Sequence, residues 1–132
     1  MKGLDTNLLV RLITGDHPEQ QARARRYVEK HCTAAEPGFV NRIVLAELIW
    51  TLKRGYGYDH HELSTVVEAL LATAELEIES SSAVRSALRH FARGADFVDA
   101  LVFSVNAERG CDATATFDKT AAKRLPNADV VG

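Results

Sequence analysis

Asp96-Phe97-Val98-Asp99 sets two carboxylates three residues apart at the start of a largely apolar stretch that runs to Arg109. On a helix that spacing puts both on one face. Asp5 closes a first short apolar segment and Asp118 a late one, while Glu47 sits inside Ile43-Val44-Leu45-Ala46-Glu47-Leu48-Ile49-Trp50, where every other residue is apolar. A carboxylate buried unpaired in such a run is costly, so Glu47 calls for a cation, an arginine partner, a raised pKa or a solvated seam between helices. Two such charges about 4 Å apart repel by roughly 4 kcal/mol at an effective dielectric of about 20. If the acids cluster, a hard divalent cation removes that repulsion. Oxygen-only ligation, with no Cys or His in these segments, favours Mg²⁺ or Mn²⁺ over Zn²⁺.

Helix capping is the competing account of four of the five acids. Asp5, Asp96 and Asp118 each precede a helical pattern, and Asp99 falls in a first turn, where the helix dipole favours negative charge. Glu47 resists that account.

The elements that must position these acids follow from periodicity and punctuation. Lys2-Gly3-Leu4 reads as a short strand stopping at Asp5, with Thr6 and Asn7 as capping residues for a helix through Ile13. A second helix opens at Asp16-His17-Pro18-Glu19 and frays near His31-Cys32. Pro37-Gly38 marks a turn, Phe39-Val40 an extended piece, and Asn41 caps a third helix, Arg42 to Arg54. Asp59 with Glu62 forms a capping-box pattern before a fourth helix. Leu76 to Glu79 alternates as a strand, and Ser80 to Ser82 cap a fifth helix that Gly94 stops. After the Asp96 helix come a strand from Asp112 to Thr116, a short helix from Lys119 to Arg124 and a last strand, Asp129 to Val131. Short strands separated by helices predict a three-layer α/β domain, with a mainly parallel central sheet of four to five short strands flanked by helices. Ligands of open parallel sheets bind beyond the carboxyl ends of the strands, and Asp5 and Asp118 both stand at such ends.

The bulk numbers fit one domain over residues 1–132: 46% hydrophobic and 26% charged residues are ordinary for a globular chain. Sixteen Lys and Arg against eighteen Asp and Glu leave −2, a balance that neither marks nor forbids a nucleic-acid binder. Cys32 and Cys111 lack metal-ligand spacing and read as small buried thiols in a reducing cytoplasm. No stretch approaches the ~20 apolar residues of a spanning helix, and Asp5 and Arg11 interrupt any signal-like N-terminal run. The five histidines read as surface or loop residues, and Trp50 as either core or part of a dimer face.

Four segments together resemble the PIN-domain ribonucleases, specifically the VapC-type toxins of bacterial toxin–antitoxin pairs. They are Leu4-Asp5-Thr6-Asn7, Ala46-Glu47-Leu48, Asp96-Phe97-Val98-Asp99-Ala100-Leu101 and Thr116-Phe117-Asp118-Lys119. Each alone is weak; all four in this order are specific. The resemblance implies a Mg²⁺- or Mn²⁺-dependent endoribonuclease acting on structured RNA such as tRNA or rRNA. It makes Asp5, Glu47, Asp99 and Asp118 an acidic quartet at one metal site, with Asp96 as an extra acid and Thr6, Asn7 and Thr116 as residues orienting the quartet. It also implies an antitoxin whose C-terminal segment covers the acidic cleft, and a homodimer. Gly3 is smaller than the apolar residue usual before the first motif.

The acids repel RNA, so basic groups must attract it. Arg85, Arg89 and Arg93 form an i, i+4, i+8 stripe running toward Asp96, and Arg11, Lys119 and Lys123 lie near motif residues in the chain. These are the candidate phosphate contacts; a solvated helix face is the plainer account of them. The absence of His from the motifs argues against acid–base cleavage through the 2′-hydroxyl. Two other readings stand beside this one. An α/β metal-dependent phosphatase or phosphotransfer domain lacks the second Asp expected after Asp5-Thr6-Asn7 and leaves Glu47 without a role. A PIN-like binding module without turnover would keep the fold and partner but no chemistry.

Overall fold

The computed structural model describes all 132 residues, Met1–Gly132, which fall into two compact units, Met1–Glu79 and Ser80–Gly132. In the first unit the order is β1 (Lys2–Gly3), α1 (Thr6–Ile13), α2 (Pro18–His31), β2 (Gly38–Val40), α3 (Arg42–Tyr56), α4 (His60–Ala72) and β3 (Leu76–Ile78). The strands form a parallel sheet ordered β1-β2-β3, with Gly3 opposite Phe39 and Val40 opposite Ile78. Parallel neighbours need long connections, and helices supply both. Leu9, Val40, Leu45, Leu48, Leu52 and Val67 are among the fully buried side chains.

Local chemistry explains most boundaries. Asn41 accepts from Val44 N–H at 2.8 Å to start α3, and Gly57, at φ +68, ends it in the left-handed conformation that favours glycine. Asp59 and Glu62 make the expected reciprocal capping box at α4. The α1 cap is Asp5 itself, not Thr6 or Asn7. Gly38, expected in a turn, belongs to β2. A Cβ there would stand 2.8 Å from Cys32 Sγ and 2.9 Å from Leu4 Cδ1, so any larger residue would have to push those side chains aside.

The second unit comprises α5 (Ser81–Ala92), α6 (Phe97–Arg109), β4 (Thr114–Thr116), α7 (Lys119–Arg124) and β5 (Ala128–Val130). Here α5 packs on α6, with Phe91 meeting Phe97 edge-on at 5.9 Å. β4 and β5 pair in parallel, Ala115 opposite Asp129. Asn106 Nδ2 donates to Thr114 Oγ1 at 3.1 Å, tying α6 to β4. Ser80 precedes α5 in a left-handed conformation, and its side chain makes no cap bond. The class is α/β as the sequence predicts and all five strands pair in parallel, but they divide into sheets of three and two. Cys32 is buried as expected; Cys111 is exposed, because it follows the Gly110 stop of α6 rather than entering a strand. No helix is long and apolar enough to cross a membrane.

Candidate active site

In the first unit β1 ends just ahead of Asp5, whose Oδ1 accepts from Thr6 N–H at 2.8 Å as the α1 cap. That bond restrains the carboxylate of an exposed residue through Oδ1. One residue on, Thr6 Oγ1 donates to Glu47 Oε1 at 3.0 Å, which joins the start of α1 to the middle of α3. Two acids 42 positions apart in the chain, Asp5 and Glu47, are thus tied through the backbone and side chain of one threonine.

Glu47 is not buried. The α3 face formed by Val44, Leu45, Leu48, Ile49 and Leu52 enters the core, and Glu47 lies on the opposite, exposed stripe with Ile43 and Trp50. The expected desolvation cost is therefore absent. An unbroken apolar run hides the 3.6-residue period, and two of its large members, Ile43 and Trp50, are solvent-facing. Trp50, 60% exposed, is not core. Asn7 is exposed and, with Leu8, Arg11, Gln20, Arg23, Ala24 and Tyr27, lines a groove of about 380 Å³ along α1 and α2. Arg11 is drawn into a network: its Nε donates to Gln20 Oε1 at 2.7 Å, and its Nη1 lies 3.3 Å from the Tyr56 hydroxyl and 3.5 Å from Asp16 Oδ1.

In the second unit Asp96 caps α6, its Oδ2 accepting from Asp99 N–H at 3.0 Å. Asp99, half-buried in the first turn, thereby has its backbone held by its neighbour acid. Asp118 caps α7 through Oδ1 and Ala121 N–H at 2.9 Å, and Thr116 Oγ1 accepts from Asp118 N–H at 3.0 Å. Thr116 therefore orients the backbone of Asp118 rather than its carboxylate. Phe117, between them, is 80% exposed. Arg85, Arg89 and Arg93 all face solvent along α5 and its cap, and Lys119 opens α7 in the open. His90 is half-buried, lining a small cavity of about 60 Å³ with Cys111.

Capping and metal ligation are thus compatible. Asp5 and Asp118 are exposed and each uses one carboxylate oxygen for a cap, and Glu47, also exposed, uses Oε1 for Thr6. The donor set is carboxylate oxygen throughout, the chemistry that suits a hard divalent ion. Neither unit by itself gathers three or more His, Cys, Asp or Glu side chains into a group that could hold a metal.

A sequence model of the PIN domain matches residues 3–126, through both units. The chain is also 29% identical over 102 residues to a VapC ribonuclease of Aquifex aeolicus (strain VF5), covering 76% of this chain and 75% of that protein.

Proposed function

The chain belongs to the PIN domain family, and from that premise we propose that it is a VapC-type toxin: an endoribonuclease that hydrolyses structured RNA, tRNA or rRNA, with Mg²⁺ or Mn²⁺. The reading is supported by the family match, by the likeness to a VapC ribonuclease, and above all by the Thr6–Glu47 hydrogen bond, which physically links two of the four motifs.

Asp5, Glu47, Asp99 and Asp118 are the residues that hold the cation. When bound, it supplies Lewis-acid activation of a water and charge stabilisation at the scissile phosphate. Asp5 and Asp118 present carboxylates whose rotation is limited by their cap bonds. Thr6 holds Glu47 through Oε1, and the Glu47 carboxylate ligates the ion or orients the attacking water. Asp96 positions Asp99 by holding its N–H. Arg85, Arg89, Arg93 and Lys119 attract the phosphate backbone. Arg11, already engaged by Gln20, Asp16 and Tyr56, serves the fold first. A cytoplasmic setting, a homodimer and an antitoxin that covers the acids complete the reading.

The test is cleavage of total RNA with Mg²⁺ or Mn²⁺, comparing wild type, Asp5→Asn and Asp99→Asn, with EDTA as control. Discrete fragments from wild type alone, lost in EDTA, are expected. Equal cutting by both variants would remove the quartet from the chemistry.

A further inference from the structure

Helix α3 carries a second, bare face. Ile43, Glu47, Trp50 and Arg54 recur at i, i+4, i+7 and i+11, and all four are exposed. A single exposed apolar side chain needs no explanation. This one is an indole bracketed by opposite charges on successive turns. At about 1.5 Å per residue, Glu47 precedes it by about 4.5 Å along the axis, and Arg54 follows by about 6 Å. Carboxylate, aromatic face and guanidinium in that order mirror a nucleotide chain: a phosphate at a cation, a base, then the next phosphate.

We propose that Trp50 is a stacking platform for an unpaired base beside the scissile phosphate, with Arg54 binding the adjacent phosphate, so that α3 selects single-stranded segments of the RNA. The proposal rests on the nuclease reading of Glu47. A second copy seated permanently on this face would have to desolvate Glu47 beside the indole, and glutamate is depleted at interfaces. RNA supplies a phosphate for the guanidinium and a π-face for the indole. A duplex keeps its bases stacked on one another and presents no such face.

Trp50 is the only tryptophan in the chain, so its emission reports on this face alone. The experiment titrates the wild-type protein, in EDTA at low salt so that nothing is cut, with a short single-stranded oligoribonucleotide of mixed sequence and with the same strand annealed to its complement. Strong quenching by the single strand and little by the duplex is expected. With labelled RNA, Trp50→Ala weakens single-strand binding about 5- to 150-fold, while Trp50→Phe keeps most of it. Arg54→Gln lowers the slope of log affinity against log salt by about 0.7. Absence of quenching, or equal quenching by the duplex, overturns the proposal. So does an emission that shifts to the blue as protein concentration rises without RNA, because a second copy then covers the face. Trp50→Ala cleaving RNA as efficiently as wild type with Mn²⁺ would also overturn it while leaving the nuclease reading intact. Quenching by single strands from a protein that never cleaves supports the platform and removes the nuclease.

Discussion

Thr6 Oγ1 donates to Glu47 Oε1 at 3.0 Å, from the first turn of α1 to the solvent side of α3. Removing a hydrogen bond that orients a metal ligand commonly costs about 10- to 100-fold in activity or metal affinity. Thr6→Val keeps the shape and removes the donor. It is expected to lower kcat/KM for RNA about tenfold and to raise the Mn²⁺ concentration needed for half-maximal rate. Thr6→Ser, which restores the hydroxyl, should recover most of both. Wild-type metal dependence in Thr6→Val would show that the bond orients nothing the reaction uses.

Asp5 and Asp118 cap α1 and α7, and the chemical role proposed for them is separable from that capping. Asn caps helices about as well as Asp, whereas Ala costs about 1 kcal/mol. Asp5→Asn and Asp118→Asn should therefore change stability by no more than about 0.5 kcal/mol, the residual charge–dipole effect. Their cleavage rates should fall by more than about 100-fold, beyond the range of outer-shell changes. Asp5→Ala and Asp118→Ala should lose both. Urea melts beside rate measurements decide it. Asn variants that melt early yet retain their rate would make these acids caps and nothing more.

Local signals in the chain were readable. The Asp59–Glu62 box and the Asn41 and Asp96 caps depend on neighbours three or four residues away. Local chemistry leaves the α1 cap open among Asp5, Thr6 and Asn7, because all three are good capping types, and the structure selects Asp5. The run around Glu47 looks buried because hydropathy along the chain is blind to which side of a helix faces the core, and Ile43 and Trp50, both apolar, stand in the open. Gly38 reads as a turn because nothing nearby in sequence announces the approach of Leu4, which follows β1. The division of five strands into three and two is likewise a matter of long-range pairing.

Asp16 anchors a latch within the first unit: Thr14 Oγ1 donates to it at 2.8 Å and the Tyr56 hydroxyl at 2.9 Å. The Thr14 hydroxyl, then Tyr56, then the Arg11 charge hold its carboxyl below the usual aspartate value. The folded state therefore binds this proton more weakly than the unfolded chain. The stabilisation is complete above the ordinary carboxylate value and is lost as pH falls through the lowered folded one. Tyr56→Phe should unfold at lower urea than wild type at neutral pH, with the gap closing below about pH 4. A gap that stays constant on acidification would place the contribution of Tyr56 elsewhere.

Tyr58 titrates in the opposite direction. Burial, then the charges of Glu62, Tyr56 and Asp16, push its phenol above the usual value. Its contribution is complete below about pH 10 and is lost as pH rises through the raised folded value, because the unfolded chain releases the proton first. Tyr58→Phe should blunt the alkaline fall in the urea midpoint. An unchanged alkaline profile would assign that fall to other groups.

Arg85, Arg89 and Arg93 face solvent at four-residue intervals along α5 and its C-terminal cap. As a phosphate track they would each release about 0.7 of a counterion from single-stranded RNA. Replacing all three with Gln keeps good helix formers on α5 and removes three charges. The slope of log affinity against log salt should shrink by about 2, with affinity falling alike for unrelated RNA sequences. The Arg93 carbonyl, which accepts from Arg124 Nη1 at 3.2 Å, belongs to the backbone and survives the change, so the fold should persist. An unchanged slope would make the stripe an ordinary solvated face and shift RNA attraction to Lys119 and α3.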